Sequence, residues 1–208
     1  MSCLRCGEET GPVRIALRFG AVRPKRLRPG EVGRRVWAKL VRDVPDFPSP
    51  GIVFRDITPV LADPEAFSVV TTAIADHFAP KKVDLVVGVE ARGFILAAPV
   101  ALKLGAGFVP ARKPGRLPWR VKTKSYELEY GTAALEIHRD AIGAGASVLI
   151  VDDVLATGGT AAAAVALVEE LGGSVAGLGF LLELGFLPGR AQLDGRDILS
   201  LETVGREC

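Results

Sequence analysis

The sequence predicts an α/β fold: a mainly parallel twisted sheet flanked by helices, with a β-hairpin lid. Three observations carry this. Short runs such as VDLVVGV (83–89) and ASVLIVD (146–152) are predominantly apolar and too short for helices, as strands covered on both faces are. Helical stretches separate them, FILAAPVALKLG (94–105) and TAAAAVALVEELGG (160–173), each closing on glycine. Strand and helix then alternate along the chain, which is the pattern of a parallel sheet.

The elements follow in order. Residues 1–30 include the basic, Pro/Gly-bounded RPKRLRPG (23–30) and read as a flexible extension, leaving 31–208 as the folded domain. In EVGRRVWAKLVRDV (31–44), Val32, Val36, Trp37, Leu40 and Val41 recur at helical spacing and predict a short amphipathic helix. Prolines 45, 48, 50 and 59 then argue against a regular element and predict a shaped loop. Asp63 and Pro64 open a helix running to about Phe78. GFVPAR (107–112) and SVAGLGFLLEL (174–184) are strands, and KSYELEYGTAALEIH (124–138) holds two strand-like runs around Gly131.

Composition excludes several classes. The charge is nearly balanced, 26 basic against 24 acidic residues, whereas a nucleic-acid binder is usually strongly basic. No apolar run approaches the roughly 20 residues of a membrane span. The start of the chain lacks a secretory pattern, and Cys3, Cys6 and Cys208 make no disulfide framework, so a cytoplasmic protein is expected. Cys3 and Cys6 have zinc-ligand spacing, but two thiols do not complete a tetrahedral site, and His77 and His138 are isolated.

The densest chemistry lies in VLIVDDVLATGGT (148–160). Asp152 and Asp153 end a buried strand, and in parallel α/β sheets ligands sit beyond the carboxyl ends of strands. Ionised carboxylates only accept hydrogen bonds, so neighbouring sugar hydroxyls or a divalent metal suit them. The loop Ala156, Thr157, Gly158, Gly159, Thr160 leads into a helix. Its free amides, glycine backbone and hydroxyls suit a phosphate. A ribose 5-phosphate supplies both partners in that order. Neither a Walker loop nor a GxGxxG fingerprint is present.

This segment resembles the 5-phosphoribosyl-1-pyrophosphate (PRPP) motif of type I phosphoribosyltransferases. DVPDFPSPGIVFRDITPVL (43–61), GVEARGFILAAPVA (88–101) and SYELEYGTAALEIHRDAI (125–142) are similar to the adenine phosphoribosyltransferase branch of that family, and the likeness spans about Val36 to Leu201. The resemblance implies that Asp152 and Asp153 hold the ribose and that residues 156–160 wrap its 5-phosphate. It further implies a pyrophosphate subsite at Glu90, Ala91 and Arg92, with a cis peptide at Glu90–Ala91. The basic segment 111–131 adds Arg112 and Lys113 at a strand end, and Arg116 on a lid that excludes water. Glu129 is implied as the acid/base beside the purine, with Arg92 and Arg112 as catalytic cations. Adenine would meet the Phe54 ring, backbone groups of Val53 and Arg55, and Tyr130, while Asp56 orders the loop.

The implied reaction is adenine + PRPP → AMP + pyrophosphate, a step of purine salvage. Mg²⁺ is the expected cofactor, carried in by PRPP without a dedicated protein cage. The expected partners are the two small substrates and a second copy of the chain as a homodimer, with no nucleic acid and no membrane. Two other readings stay open here. One is a 6-oxopurine or xanthine phosphoribosyltransferase, separable by the base that drives pyrophosphate release. The other is a non-catalytic PRPP-binding regulator on the same fold; against it, residues 1–30 are too short and aperiodic for a helix-turn-helix.

Overall fold

A computed structural model describes residues 36–127 and 132–205. The framework is a five-stranded, wholly parallel sheet. Its strands are β3 (Leu85–Val89), β4 (Gly107–Ala111), β7 (Ser147–Leu155), β8 (Ser174–Leu184) and β9 (Ile198–Val204), in the spatial order β4-β3-β7-β8-β9. From β3 the chain steps outward to β4, then returns to the other side of β3 for β7. The β3/β7 boundary is therefore the topological switch point, where open α/β sheets bind ligands.

Both faces are covered, which explains the unbroken apolar strands. On one face Val86, Leu149 and Val151 pack with α1 (Thr58–Ala62), α2 (Pro64–Phe78) and α3 (Arg92–Leu104), through Val60, Ile74, Phe78 and Leu96. On the other, Val87, Val89, Val148 and Ile150 meet α4 (Gly159–Glu170) and the antiparallel hairpin of β5 (Val121–Glu127) and β6 (Thr132–His138), through Leu167, Leu135 and Ile137. This two-residue alternation in β3 and β7 is the strand period itself. Residues 1–35, 128–131 and 206–208, and with them the expected extension, Gly131 and Cys208, lie outside the described residues.

Helix ends follow the expected chemistry. Asp63 caps α2 by accepting the Ala66 amide at 2.7 Å, with Pro64 in the first turn, and Gly105 ends α3 in the left-handed region at φ 67°. Among the described residues no helix is long and apolar enough to cross a membrane.

Three expectations need correction. The predicted helix over 31–44 is helical, among its described residues, only at 36–38, and Arg42–Pro45 is instead β1. Nor is the proline-rich stretch irregular: β1 pairs antiparallel with β2 (Val53–Asp56), and α1 follows. The prolines flank these elements rather than interrupt them. Pro45 closes a strand, Pro48 follows a cis bond in the turn, and Pro59 stands in the first turn of α1, where no intrahelical N–H is needed. Lastly, β7 runs three residues beyond Asp152, because β8 continues beside it through the Leu155↔Glu183 pair.

Candidate active site

That extra length shapes the site. β3 accompanies β7 only as far as the Gly88↔Val151 pair. Beyond it β3 turns into α3, so Asp152 and Asp153 border the opening while β8 still supports them from behind. The start of α3 comes very close. A Cβ on Gly93 would stand 2.7 Å from Asp152 Oδ1 and 3.0 Å from the Val151 carbonyl, so only glycine fits.

The two carboxylates differ in their partners. Asp152 Oδ1 accepts the amide of Asp153 at 2.8 Å. Asp153 is buried, and its Oδ2 lies 2.8 Å from Arg92 Nη2. That contact is off the hydrogen-bond direction, so among the described residues this enclosed oxygen has no hydrogen-bond donor. Burial, then the charge of Asp153, pushes Asp152 well above the usual carboxylate range. Asp153 is also raised by burial, against the pull of the Arg92 charge. Ionising both members of the pair is therefore costly until donors arrive.

At the end of β3 the peptide Glu90–Ala91 is cis, as expected. The Glu90 carboxylate accepts Arg112 Nη2 at 3.0 Å, Arg112 Nε at 3.3 Å and the Lys113 amide at 2.9 Å. Hydrogen bonds from Arg112 hold it below its ordinary range. Arg112 Nη1 also donates to the Arg116 carbonyl at 3.0 Å, so one guanidinium joins the switch point to the loop carrying Lys113 and Arg116. That loop is rooted by Glu136, a buried carboxylate that accepts the Gly115 amide at 3.0 Å and the Thr123 hydroxyl at 3.3 Å.

The loop 156–160 passes from β7 into α4. Gly158 is the N-cap, in the left-handed region at φ 90°, and it brings no side chain to cover the first-turn amides of α4. Thr160 Oγ1 lies 3.2 Å from the Tyr126 hydroxyl of β5, which ties the loop to the hairpin.

Above the opening stands the β1–β2 ribbon. Its Phe54 ring carries the Arg92 guanidinium 4.8 Å from its centroid and meets Phe47 edge-on at 5.1 Å. Arg92 therefore touches the ring at one side and Asp153 at the other. Arg55 pairs with Asp43 across the ribbon. Asp56 accepts Arg42 Nη2 at 2.6 Å, the Thr58 hydroxyl at 2.6 Å and the Thr58 amide at 2.9 Å, and so orders the ribbon and the start of α1.

An acidic pair, a glycine-capped helix start and a basic strand end thus converge on one switch point. Residues 57–185 match the phosphoribosyl transferase domain family. An adenine phosphoribosyltransferase of Thermobifida fusca is 57% identical over 166 residues, covering 80% of this chain and 94% of its own. The chain belongs to the adenine phosphoribosyltransferase family. Solved members share the fold. The enzyme from Thermoanaerobacter pseudethanolicus superposes with a TM-score of 0.80 at 52% identity, over 82% of this chain and 99% of its own. That from Saccharomyces cerevisiae, crystallised with an imino-altritol bisphosphate and adenine, gives 0.78 at 41% identity over 81% and 98%.

Within this adenine phosphoribosyltransferase fold, the structure brings Glu90, Ala91, Arg92, Arg112, Lys113, Asp152, Asp153 and the 156–160 loop to one end of the sheet, and Phe54, flanked by Val53 and Arg55 in β2, meets it through Arg92. Glu129 and Tyr130 lie outside the described residues. Lys122 and Lys124, basic residues of the lid segment, instead pair with Glu170 at the end of α4, at 2.9 and 2.8 Å. These two lysines hold the Glu170 carboxyl at about 2. Sequence reasoning missed Tyr126, Glu136 and Glu170. A period-two reading of β5 would have found the first, since Lys122, Lys124 and Tyr126 share a face and meet the two ends of α4.

Among the described residues no group of three or more His, Cys, Asp or Glu is placed to hold a metal. The two hard carboxylates at 152 and 153 tolerate a divalent cation nearby but do not enclose one.

Proposed function

We propose that this protein transfers the 5-phosphoribosyl group of PRPP to adenine, giving AMP and pyrophosphate in purine salvage. The observation that carries the reading is the Asp152–Asp153 pair, one short glycine-capped loop away from a helix start, at the switch point of a chain 57% identical to an adenine phosphoribosyltransferase.

In this reading Asp152 and Asp153 accept the ribose hydroxyls, whose donors relieve the enclosed Oδ2 of Asp153. The amides and hydroxyls of Thr157 to Thr160 hold the 5-phosphate at the start of α4. Arg92, Arg112, Lys113 and Arg116 receive pyrophosphate, with Glu90 fixing Arg112 and the Lys113 amide. The C1–oxygen bond to pyrophosphate breaks as the bond from adenine N9 forms, with inversion and oxocarbenium character. The chain's part is to orient the reactants and to offset charge on the leaving group. Glu129, placed by resemblance, takes the N9 proton. Phe54 offers its face to the purine, and Arg92 leaves that face to follow pyrophosphate. Mg²⁺ brought by PRPP would supply positive charge to offset that of pyrophosphate, with Asp152 and Asp153 as the carboxylates nearby. A cytoplasmic homodimer, with residues 1–30 outside the catalytic domain, completes the reading.

The test is pyrophosphate release from PRPP with adenine, hypoxanthine, guanine or xanthine added singly. Adenine is expected to drive turnover far above the others, and a faster 6-oxopurine would overturn the assignment. In the same assay Asp153→Asn should lower kcat by about 10²–10³, the size of one lost transition-state contact.

A further inference from the structure

The segment Pro188–Leu193, a 3₁₀ turn after β8, plays no part in the roles assigned above, yet it forms the back wall of the phosphate loop. A Cβ on Gly189 would lie 2.1 Å from the Ala156 carbonyl oxygen and 3.1 Å from Leu155 Cδ1. From the other side, a Cβ on Gly158 would lie 2.6 Å from the Gly189 carbonyl oxygen and 3.2 Å from Gln192 Cβ. Two backbones therefore touch with no side chain between them. Gly189 lies outside the left-handed region in which glycine is favoured, so its own conformation does not demand glycine. Only the neighbouring loop does.

The turn is held by an ion pair. Arg190 grips Glu183 with both arms, Nη2 to Oε2 at 2.6 Å and Nε to Oε1 at 2.9 Å. The Glu183 carboxylate is buried while the Arg190 side chain is half-exposed, so the two-armed geometry, rather than exclusion of water, gives the pair its hold. Arg190 also reaches the Ile198 carbonyl and the Ser200 hydroxyl at 3.4 Å, joining the turn to β9. Glu183 sits opposite Leu155 in the sheet, directly before the phosphate loop. Leu193 anchors the far end of the turn in the core.

We propose that Gly189 and the Glu183–Arg190 pair are positioning residues for the 5-phosphate of the nucleotide: the ion pair fixes the turn, and the bare backbone of Gly189 sets the spacing of the Ala156–Thr160 loop. This rests on the phosphate-loop reading given above. A missing brace here shifts amides that must point at one anion, and so weakens their hold on it.

The experiment compares AMP with adenosine as inhibitors of the full chain, since the two differ only in the 5′-phosphate. Gly189→Ala and Arg190→Ala should each weaken AMP by about tenfold or more and leave adenosine unchanged. KM for PRPP should rise with kcat held within about twofold, the pattern of lost uniform binding. Arg190→Lys, which keeps the charge but not the two-armed grip, should fall between wild type and Arg190→Ala. Because Gly189→Ala alone could compromise folding, Glu183→Gln gives a second route, with the AMP-selective loss again expected. Equal weakening of AMP and adenosine, or a lowered Tm with both affinities kept, would overturn the proposal and leave the turn a packing element. A wild-type protein that binds AMP no tighter than adenosine would overturn the phosphate-loop reading with it. The base panel fails or succeeds independently of either result.

Discussion

Asp152 sits where burial and a neighbouring negative charge both disfavour ionisation. Its folded-state pKa is raised, so the folded chain holds a proton that the unfolded chain releases. Stability is then lost as pH rises from the ordinary carboxylate value of about 4 through the raised one. Asp152→Asn removes that cost while keeping an oxygen for the Asp153 amide. It should raise Tm by a few degrees near neutral pH, with no gain below about pH 4 where both states are protonated; thermal melts across pH check this. Turnover should fall at the same time, the usual conflict between a strained site and a stable fold. Much of this was legible, because adjacent aspartates before a glycine turn state their chemistry locally. The Arg92–Asp153 and Glu90–Arg112 pairs were not paired in the sequence reading, since they join residues 61 and 22 positions apart. Such contacts depend on β3 lying between β4 and β7, which no local pattern encodes.

Among the elements, the β1–β2 ribbon was the least legible. Four prolines concealed two short strands, because the same residue that breaks a strand interior also ends one. β9 was missed for another reason: ILSLETV (198–204) alternates only weakly and follows an irregular turn. The long helices and buried strands were read nearly to their ends, since caps such as Asp63 and Gly105 act within a few residues. The ribbon carries a prediction of its own. Asp56 ties it to α1, and the Thr58 hydroxyl and Arg42 lower its pKa to about 2. The sign is that of a depressed carboxyl: its contribution is present above about pH 4 and lost as pH falls toward 2. Asp56→Ala should raise KM for adenine by about fivefold, the size of one hydrogen bond of about 1 kcal/mol. KM for PRPP should stay unchanged, and steady-state kinetics at pH 6 and 8 should give the same ratio. An equal rise for both substrates would show that the ribbon does not act on the base alone.

For the whole molecule, the order β4-β3-β7-β8-β9 is what makes a site from these parts. It sets the end of β3, the end of β7 and the start of α4 side by side, so one anionic sugar phosphate can touch all three. The class of fold was readable from alternating apolar runs, whereas the order of strands was not, because pairing is decided across the sheet. The most direct test is a crystal of the protein soaked with AMP. The ribose hydroxyls should lie within hydrogen-bond distance of Asp152 and Asp153, and the phosphate should cap α4 at residues 157–160. AMP bound with its phosphate away from that loop, or with its sugar away from both aspartates, would contradict the account.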